Sequence, residues 1–426
     1  MRVLLLSQFD TPVVSGEERH VIALSRALAG RGHDVSVVSL PHPEGSEVPV
    51  DQSGTIASVR GTMQRCAGLF SEPERPHAAS FPHPELALKI GNLVAEMKPE
   101  VVHGHNWISR AFLPSKRRSR AGFVVTLHDY SLSCANESYM RKGIPCSGPG
   151  LAKCMSCGSD HYSPGFGSVT CVGSSAAGWI ERHIVDRYIA VSWAVAKECN
   201  LQASRTPFDV LPTFIPDDLG NVPQSNDARL DLIPADGFML FVGDLTRGKG
   251  VHVLLEAYAL LPSPPPLVLI GRVCHDTPRE LPAGVSMFED WPHATIMRAW
   301  KRCLFGIAPS VRPEPCGTIV MEGNAVGKAM IASASGGLSE LIVDGKTGYL
   351  VRPADPHALA CAMRSLIENR ELRETMASAG RRHVERFMAK SVVPKIERIY
   401  RDICVHSPAR MSEAERLMSA ADGGQS

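Results

Sequence analysis

Two carboxylates eight residues apart, Glu314 and Glu322, bracket the opening of a predicted helix in VRPEPCGTIVMEGNAVG, residues 311–327. The apolar run CLFGIAPS before it, Cys303 to Ser310, has the length of a buried strand, and the periodicity after Gly317 predicts a helix. Pro313 and Pro315 hold the intervening loop out of helical geometry, leaving backbone N–H groups at Gly317 and Thr318 where the helix begins. A helix N-terminus carries about half a positive charge and receives phosphate. At the helical rise the two acids would stand about 12 Å apart. That suits a ligand with hydroxyls at both ends and phosphates between, such as a nucleotide sugar. Glu314 would accept from sugar hydroxyls and Glu322 from ribose hydroxyls, each charge-assisted bond contributing about 1.5–3 kcal/mol. An isolated pair at this spacing could equally be two solvated acids beside a helix.

Other chemistry-bearing residues stand at predicted strand ends. Lys249 and Arg247 lie in TRGKG, after the strand FMLFVGDL, and His128 ends the strand of VVTLHDY. His103 and His105 share a strand face by period two, but two ligands do not make a metal site, and a structural role is expected for both. The passage after Tyr130 holds Cys134, Cys146, Cys154 and Cys157 in a C-x11-C-x7-C-x2-C pattern, with Cys171 further on. Four such thiols could close a tetrahedral zinc site or hold an iron–sulfur cluster. They could also be unligated thiols in a lid over a cleft.

The run EPCGTIVMEGNAVGKAMIASASGGLSELIVDGKTGYLV, residues 314–351, resembles the donor-binding region of the family 4 retaining glycosyltransferases, whose signature is Glu-x7-Glu. The resemblance implies a GT-B fold: α/β, with two Rossmann-like doubly wound domains facing a central cleft. It implies sugar transfer, with retention of configuration, from a nucleoside-diphosphate sugar of UDP or GDP type to a hydroxyl acceptor: a small molecule, a glycan or a lipid-linked group. In that pattern Glu314 and His128 hold the sugar, Glu322 the ribose, and Lys249 with the loop of Cys316, Gly317 and Thr318 the diphosphate. Front-face attack, with the departing phosphate taking the acceptor proton, would leave no side-chain base to find. Fixed cations and a helix N-terminus replace a catalytic metal.

Two departures stand out. Asp244 occupies the position where the family carries an arginine, so Arg247 is the candidate second cation. The Gly-Gly pair before the first helix is Ser15-Gly16, and Gly16 alone is left to bring amides close to a ligand. Some family members also carry a cysteine-bearing insertion after the His-Asp. Alternatives remain open: a related enzyme of other chemistry, such as a nucleotide-sugar epimerase or a cyclitol-coupling enzyme, or a non-catalytic module built around a metal-bound cysteine insertion.

The elements that must position these residues follow from the rest of the chain. Its 426 residues, 44% hydrophobic, support two or three full-sized cores. A net charge of +1 supplies no basic field for nucleic acid. No apolar run approaches the roughly 20 residues that span a bilayer, and Val3 to Leu6 is too short for a signal-peptide core. A cytoplasmic protein is expected, drawn to the inner membrane face only by a lipid acceptor; its 12 cysteines are then free thiols or ligands.

A strand at Val3–Ser7, a helix from about Glu17 to Ala29 and a strand from Asp34 give a βαβ opening without G-x-G-x-x-G, which disfavours a nicotinamide cofactor. Residues 41–84 are expected to be an irregular excursion. Further strands are expected at Val101–His103, Phe123–Leu127 and Tyr188–Ser192. A Pro- and Asp-rich stretch, Leu211 to Asp236, marks a boundary, giving domains at 1–212, with the cysteine insertion at 130–172, and 213–391. A final helix at 392–405 is expected to cross back onto the first domain, and 406–426 to be disordered.

Overall fold

The computed structural model describes residues 1–8, 16–40, 55–58, 81–162, 166–222 and 227–405. Ser15, most of the 41–84 stretch and the tail from 406 lie outside the described residues. The first domain contains strands β1 (Arg2–Ser7), β2 (Asp34–Ser39), β3 (Thr55–Ser58), β4 (Val101–His105), β5 (Gly122–Leu127), the hairpin β6 (Met140–Arg141) and β7 (Ile144–Pro145), β8 (Arg187–Ala190) and β9 (Phe208–Val210). Its helices are α1 (Gly16–Ala29), α2 (Pro84–Met97), α3 (Leu113–Lys116), α4 (Leu151–His161), α5 (Phe166–Ile184) and α6 (Trp193–Glu198). The second domain adds β10 (Met239–Val242), β11 (Leu267–Ile270), β12 (Val285–Phe288), β13 (Phe305–Ala308), β14 (Ala329–Ser333) and β15 (Gly348–Val351). Helices α7 (Val251–Ala259), α8 (His293–Arg302), α9 (Thr318–Ala325), α10 (Leu338–Leu341), α11 (Pro356–Glu368), α12 (Arg370–His383) and α13 (Ala389–Val405) complete the chain.

Both large sheets are parallel and doubly wound. The seven-stranded sheet runs β3-β2-β1-β4-β5-β8-β9 and the six-stranded one β12-β11-β10-β13-β14-β15. Parallel strands covered on both faces must be apolar on both, and β1, β5, β13 and β14 are buried throughout save for Arg2. Alternate residues then face different helix layers. Val3 and Leu5 pack with Val21, Leu24 and Leu28 of α1, while Leu4 and Leu6 pack with Leu86 and Ile90 of α2. The expected irregular excursion needs one correction: Thr55–Ser58 within it is a strand, paired with β2 from Ser36↔Thr55 to Ser39↔Ser58.

Helix α13 (Ala389–Val405) packs against α1 and β1. Val392, Val393, Ile396, Ile399 and Tyr400 share the core of α1 and β1. Its Glu397 accepts from Arg31 Nε and Nη2 at 2.8 Å and lies 2.8 Å from His33 Nε2. Glu340 of α10, in the second domain, accepts from the N–H groups of Trp193 and Ala194 at 3.0 and 3.1 Å, capping α6 of the first. These contacts fix the two domains across the cleft.

Each strand order reverses once, between β1 and β4 and between β10 and β13. Ligands of such sheets sit outside the carboxyl ends of the strands at that switch point. In the second domain the two flanking loops carry Lys249 and Glu314, and in the first β4 ends at His105.

Candidate active site

Glu314 is the hub of the donor side. Its carboxylate is 5% exposed and accepts from Lys249 Nζ at 2.9 Å, Ser310 Oγ at 2.9 Å and Arg312 Nε at 3.0 Å. Burial alone would raise its pKa, but the charges of Lys249 and Arg312 override it and hold the carboxyl at about 2. Burial and Arg312 together pull Lys249 below the usual lysine value, against the attraction of Glu314. Close backbone approach makes this geometry possible. Gly250, at φ +79°, would drive a Cβ to 1.9 Å from the Pro309 carbonyl oxygen, which packs the Lys249 loop onto the end of β13. Gly336, at φ +58°, similarly lies against the backbone of Glu314, where a Cβ would meet the carbonyl oxygen at 2.3 Å.

Arg312, not anticipated from the sequence, is the second cation at this carboxylate. Arg247 is exposed, its backbone N–H bonded to Asp276 Oδ2 at 2.9 Å. The departure at Asp244 has a local answer: Arg272 reaches it through Nε at 3.2 Å and Nη2 at 3.3 Å. Lys249, Arg272 and Arg312 thus face Asp244 and Glu314, three cations to two carboxylates. The local balance stays positive.

Helix α9 opens at Thr318 behind Gly317, whose φ of 84° and ψ of 57° place it in the left-handed region. A side-chain carbon on Gly16, the first residue of α1, would stand 3.8 Å from Thr318 Oγ1, so two helix N-termini meet across the cleft. Cys316 does not face it. Its thiol is buried in the core, hydrogen-bonded with Thr213 and pushed up to about 12, chiefly by burial. Glu322 is buried and pairs with His293 Nε2 at 2.9 Å. Burial would raise its pKa, yet the His293 hydrogen bond and charge bring it below the usual value.

The first-domain wall holds a cluster of imidazoles. His128 Nε2 lies 2.9 Å from His105 Nδ1, and the His128 backbone N–H donates to Asn106 Oδ1 at 2.9 Å. His20 stands edge-on to both rings, with centroids 5.0 Å from His128 and 5.8 Å from His105. His103 has the structural role expected, held by Tyr400 of α13 at 2.6 Å and Thr126 at 2.7 Å. His105 instead supports His128. Burial depresses all four, His20 to about 4, His103 to about 3, and His105 and His128 well below the ordinary value, so the rings are neutral at pH 7, and of the four only His128 is part-exposed. Beside them Asn106 Nδ2 donates to Glu17 Oε2 at 2.7 Å and Asp129 Oδ2 at 3.0 Å. Burial, then Asp129, pushes Glu17 up to about 8.

These shifts set opposite pH trends. The depressed histidines stabilise the fold above pH 6.5, and that contribution is lost as pH falls through 4 and 3, because the unfolded chain takes up protons first. Glu17, raised from 4.5 to about 8, acts in the other sense and gives a decline as pH rises through that interval. Denaturation midpoints are therefore expected to fall steeply on acidification below pH 6.5 and to fall more gently as pH rises from 6.5 to 8. Each pKa unit corresponds to about 1.4 kcal/mol. His20→Leu should flatten the acid limb and Glu17→Gln the neutral one; unchanged slopes would place the titrating groups elsewhere.

Among the described residues, His20, His105 and His128 alone bring three potential metal-ligand atoms within 4.8 Å of one another. Cys134, Cys146, Cys154 and Cys157 are free thiols in the insertion, no three of their sulfurs within 4.8 Å of one another, and the Asn136 amide stands between those of Cys134 and Cys157.

Residues 14–219 match the model of Glycosyltransferase Family 4, and residues 225–383 that of Glycosyl transferases group 1. The glycogen synthase of Mycobacterium tuberculosis is 24% identical, with 90% of each chain covered. The D-inositol 3-phosphate glycosyltransferase of Corynebacterium diphtheriae is also 24% identical, over 94% of this chain and 95% of its own. Among solved structures, sucrose-phosphate synthase from Thermosynechococcus elongatus superposes with a TM-score of 0.70 at 18% identity, over 94% of this chain and 98% of that one. Anabaena HepE in complex with UDP gives 0.64 at 17% identity, over 94% and 100%. The two family models follow one another along the chain in the order of its two domains, and they place it among the glycosyltransferases of GT-B fold.

Proposed function

We propose that the protein transfers a sugar, with retention of configuration, from a nucleoside-diphosphate sugar to a hydroxyl acceptor. The observation that carries this reading is the Glu314 hub: one carboxylate held by Lys249 and Arg312 at the strand switch point, beside the N-termini of α9 and α1. The cations and amides suit a diphosphate, while Glu314 and the neutral imidazole of His128 suit sugar hydroxyls. Glu322 accepts the ribose, with His293 as its partner before the ligand arrives. As the diphosphate leaves, Lys249 and Arg312 neutralise its growing charge, and its oxygen takes the acceptor proton. The UDP-bound relative favours a uridine donor over a guanosine one.

Thermal unfolding across UDP, GDP, dTDP and ADP, with and without Mg²⁺, tests this. A true donor base at a hundredfold excess over its dissociation constant stabilises by about 2.7 kcal/mol. One diphosphate is expected to raise the melting temperature without Mg²⁺, and the matching sugar nucleotide should then yield an α- or β-glycoside of the donor's own configuration. Silence across the panel, or an inverted product, would overturn the reading.

A further inference from the structure

His20, His105 and His128 come from α1, β4 and the residue after β5, and one ring nitrogen of each lies within 4.8 Å of the other two. Their neighbour His103 is different: both of its nitrogens are engaged, by Tyr400 and Thr126. The other three have nitrogens to offer. His20 Nδ1 and His105 Nε2 are buried without a hydrogen-bond partner, in residues 4% and 0% exposed. His105 Nδ1 and His128 Nε2 stand 2.9 Å apart with one proton between them. Packing holds the rings in place, His20 edge-on to Phe214 at 4.7 Å and His105 against His103 at 4.4 Å between centroids.

Zinc takes imidazole nitrogens at about 2.0–2.1 Å in a tetrahedron, which puts its ligands about 3.3 Å from one another. The His105–His128 pair stands just inside that separation and the third nitrogen within 4.8 Å, so small ring rotations close the set. The protons balance. Three neutral imidazoles carry three protons on six nitrogens, so three nitrogens can bind the ion while three keep a proton and none is released. The charge of the ion is also answered. Glu17 lies one turn before His20 on α1, Asp129 follows His128, and the amide of Asn106, next after His105, donates to both carboxylates at 2.7 and 3.0 Å. Each ligand therefore has a carboxylate, or the amide that ties the two carboxylates together, close by in the chain. Magnesium, which takes oxygen ligands, does not suit three imidazoles.

We propose that His20, His105 and His128 bind one zinc ion, its fourth position open to the cleft beside the part-exposed His128, and that zinc held there blocks sugar transfer. The block rests on His128 serving the donor sugar as proposed above; the binding does not.

The full chain, stripped with chelator and dialysed, is to be titrated with cobalt(II). Visible d–d absorbance is expected to saturate at one equivalent, without the near-ultraviolet thiolate charge transfer that the insertion cysteines would give. His20→Ala and His128→Ala should each lose it, and His357→Ala, an exposed histidine on α11, should keep it. Zinc should displace the cobalt and magnesium should not. Where a variant fails to fold, copper(II) in the unaltered chain decides, by superhyperfine coupling to three nitrogens in its electron-spin resonance. In transfer assays stoichiometric zinc should slow the reaction at least tenfold, with recovery on adding chelator. No cobalt bound, absorbance that survives both histidine variants, or a spectrum dominated by thiolate charge transfer would overturn the site. Zinc bound at the histidines with transfer undiminished would overturn the block. If the chain transfers no sugar at all, the proposed activity fails while the spectra still decide the site.

Discussion

Replacing Lys249 or Arg312 by alanine is expected to lower kcat/KM for sugar transfer by about 10²–10³, or roughly 2.7–4 kcal/mol of transition-state stabilisation. Replacing Arg247 should cost less than about tenfold, the effect of an exposed charge near an anion. The distinction rests on position. Lys249 and Arg312 converge on the two oxygens of Glu314, with side chains 22% and 32% exposed, whereas Arg247 stands in solvent. Both convergent cations are fixed before the ligand arrives, so neither needs to reorganise as charge develops on the leaving group. Arg312→Lys should restore little, because a single ammonium cannot reproduce the direction of the Nε–H to Glu314 Oε1. The double alanine variant should fall short of the sum of the two losses, since the residues share one partner. Transfer within a few-fold of the unaltered enzyme in Lys249→Ala would remove Lys249 from the mechanism. A loss in Arg247→Ala as large as that in Arg312→Ala would reassign the second cation.

Arg312 shows where sequence reasoning reached and where it stopped. Glu314, Glu322 and Lys249 stand out by the resemblance of their runs to the family 4 donor-binding region; spacing alone leaves the two acids as readily solvated beside a helix. Arg312 stands only two residues before Glu314, but the bend at residues 311 and 312 that brings its guanidinium to the carboxylate carries no signal in spacing. The partner of Glu322 was not legible either. His293 comes from the start of α8, 29 residues away, and only the packing of α8 beside α9 brings it within 2.9 Å. The same holds for His128, whose neighbours His20 and His105 arrive from α1 and β4. Among the elements, the buried strands of both sheets and the amphipathic α1 announced themselves by period. The four-residue β3 did not, because so short a run between polar stretches has no period to detect. The β6–β7 hairpin, two residues per strand, is shorter still. Asp244 stood out as a lost cation in the chain, but its charge is answered by Arg272, one strand over, and only the sheet order makes them neighbours.

Glu314→Gln should separate two roles that transfer rates alone would merge. The carboxylate accepts from both cations and from Ser310, so it restrains the cations that the diphosphate needs while offering acceptors to the sugar. Removing its charge should lower kcat by about 10- to 10²-fold, since a sugar hydroxyl loses a charge-assisted acceptor worth about 1.5–3 kcal/mol. Affinity for the bare nucleoside diphosphate should hold or rise, because Lys249 and Arg312 then meet the anion without a competing carboxylate. Stability should fall. Breaking a buried ion pair costs about 3–5 kcal/mol, and access of both cations to water places this variant toward the lower end. The acid limb offers an independent check. With a folded pKa of about 2 against 4.5 in the unfolded chain, Glu314 contributes stability above pH 4.5 that is lost as pH falls through 2. The glutamine variant should lack that part of the slope. Calorimetric titration with the diphosphate, beside steady-state transfer, reads both roles. Parallel loss of affinity and turnover would mean that Glu314 serves chiefly to hold the cations in place, and that the sugar takes its hydrogen bonds from another residue.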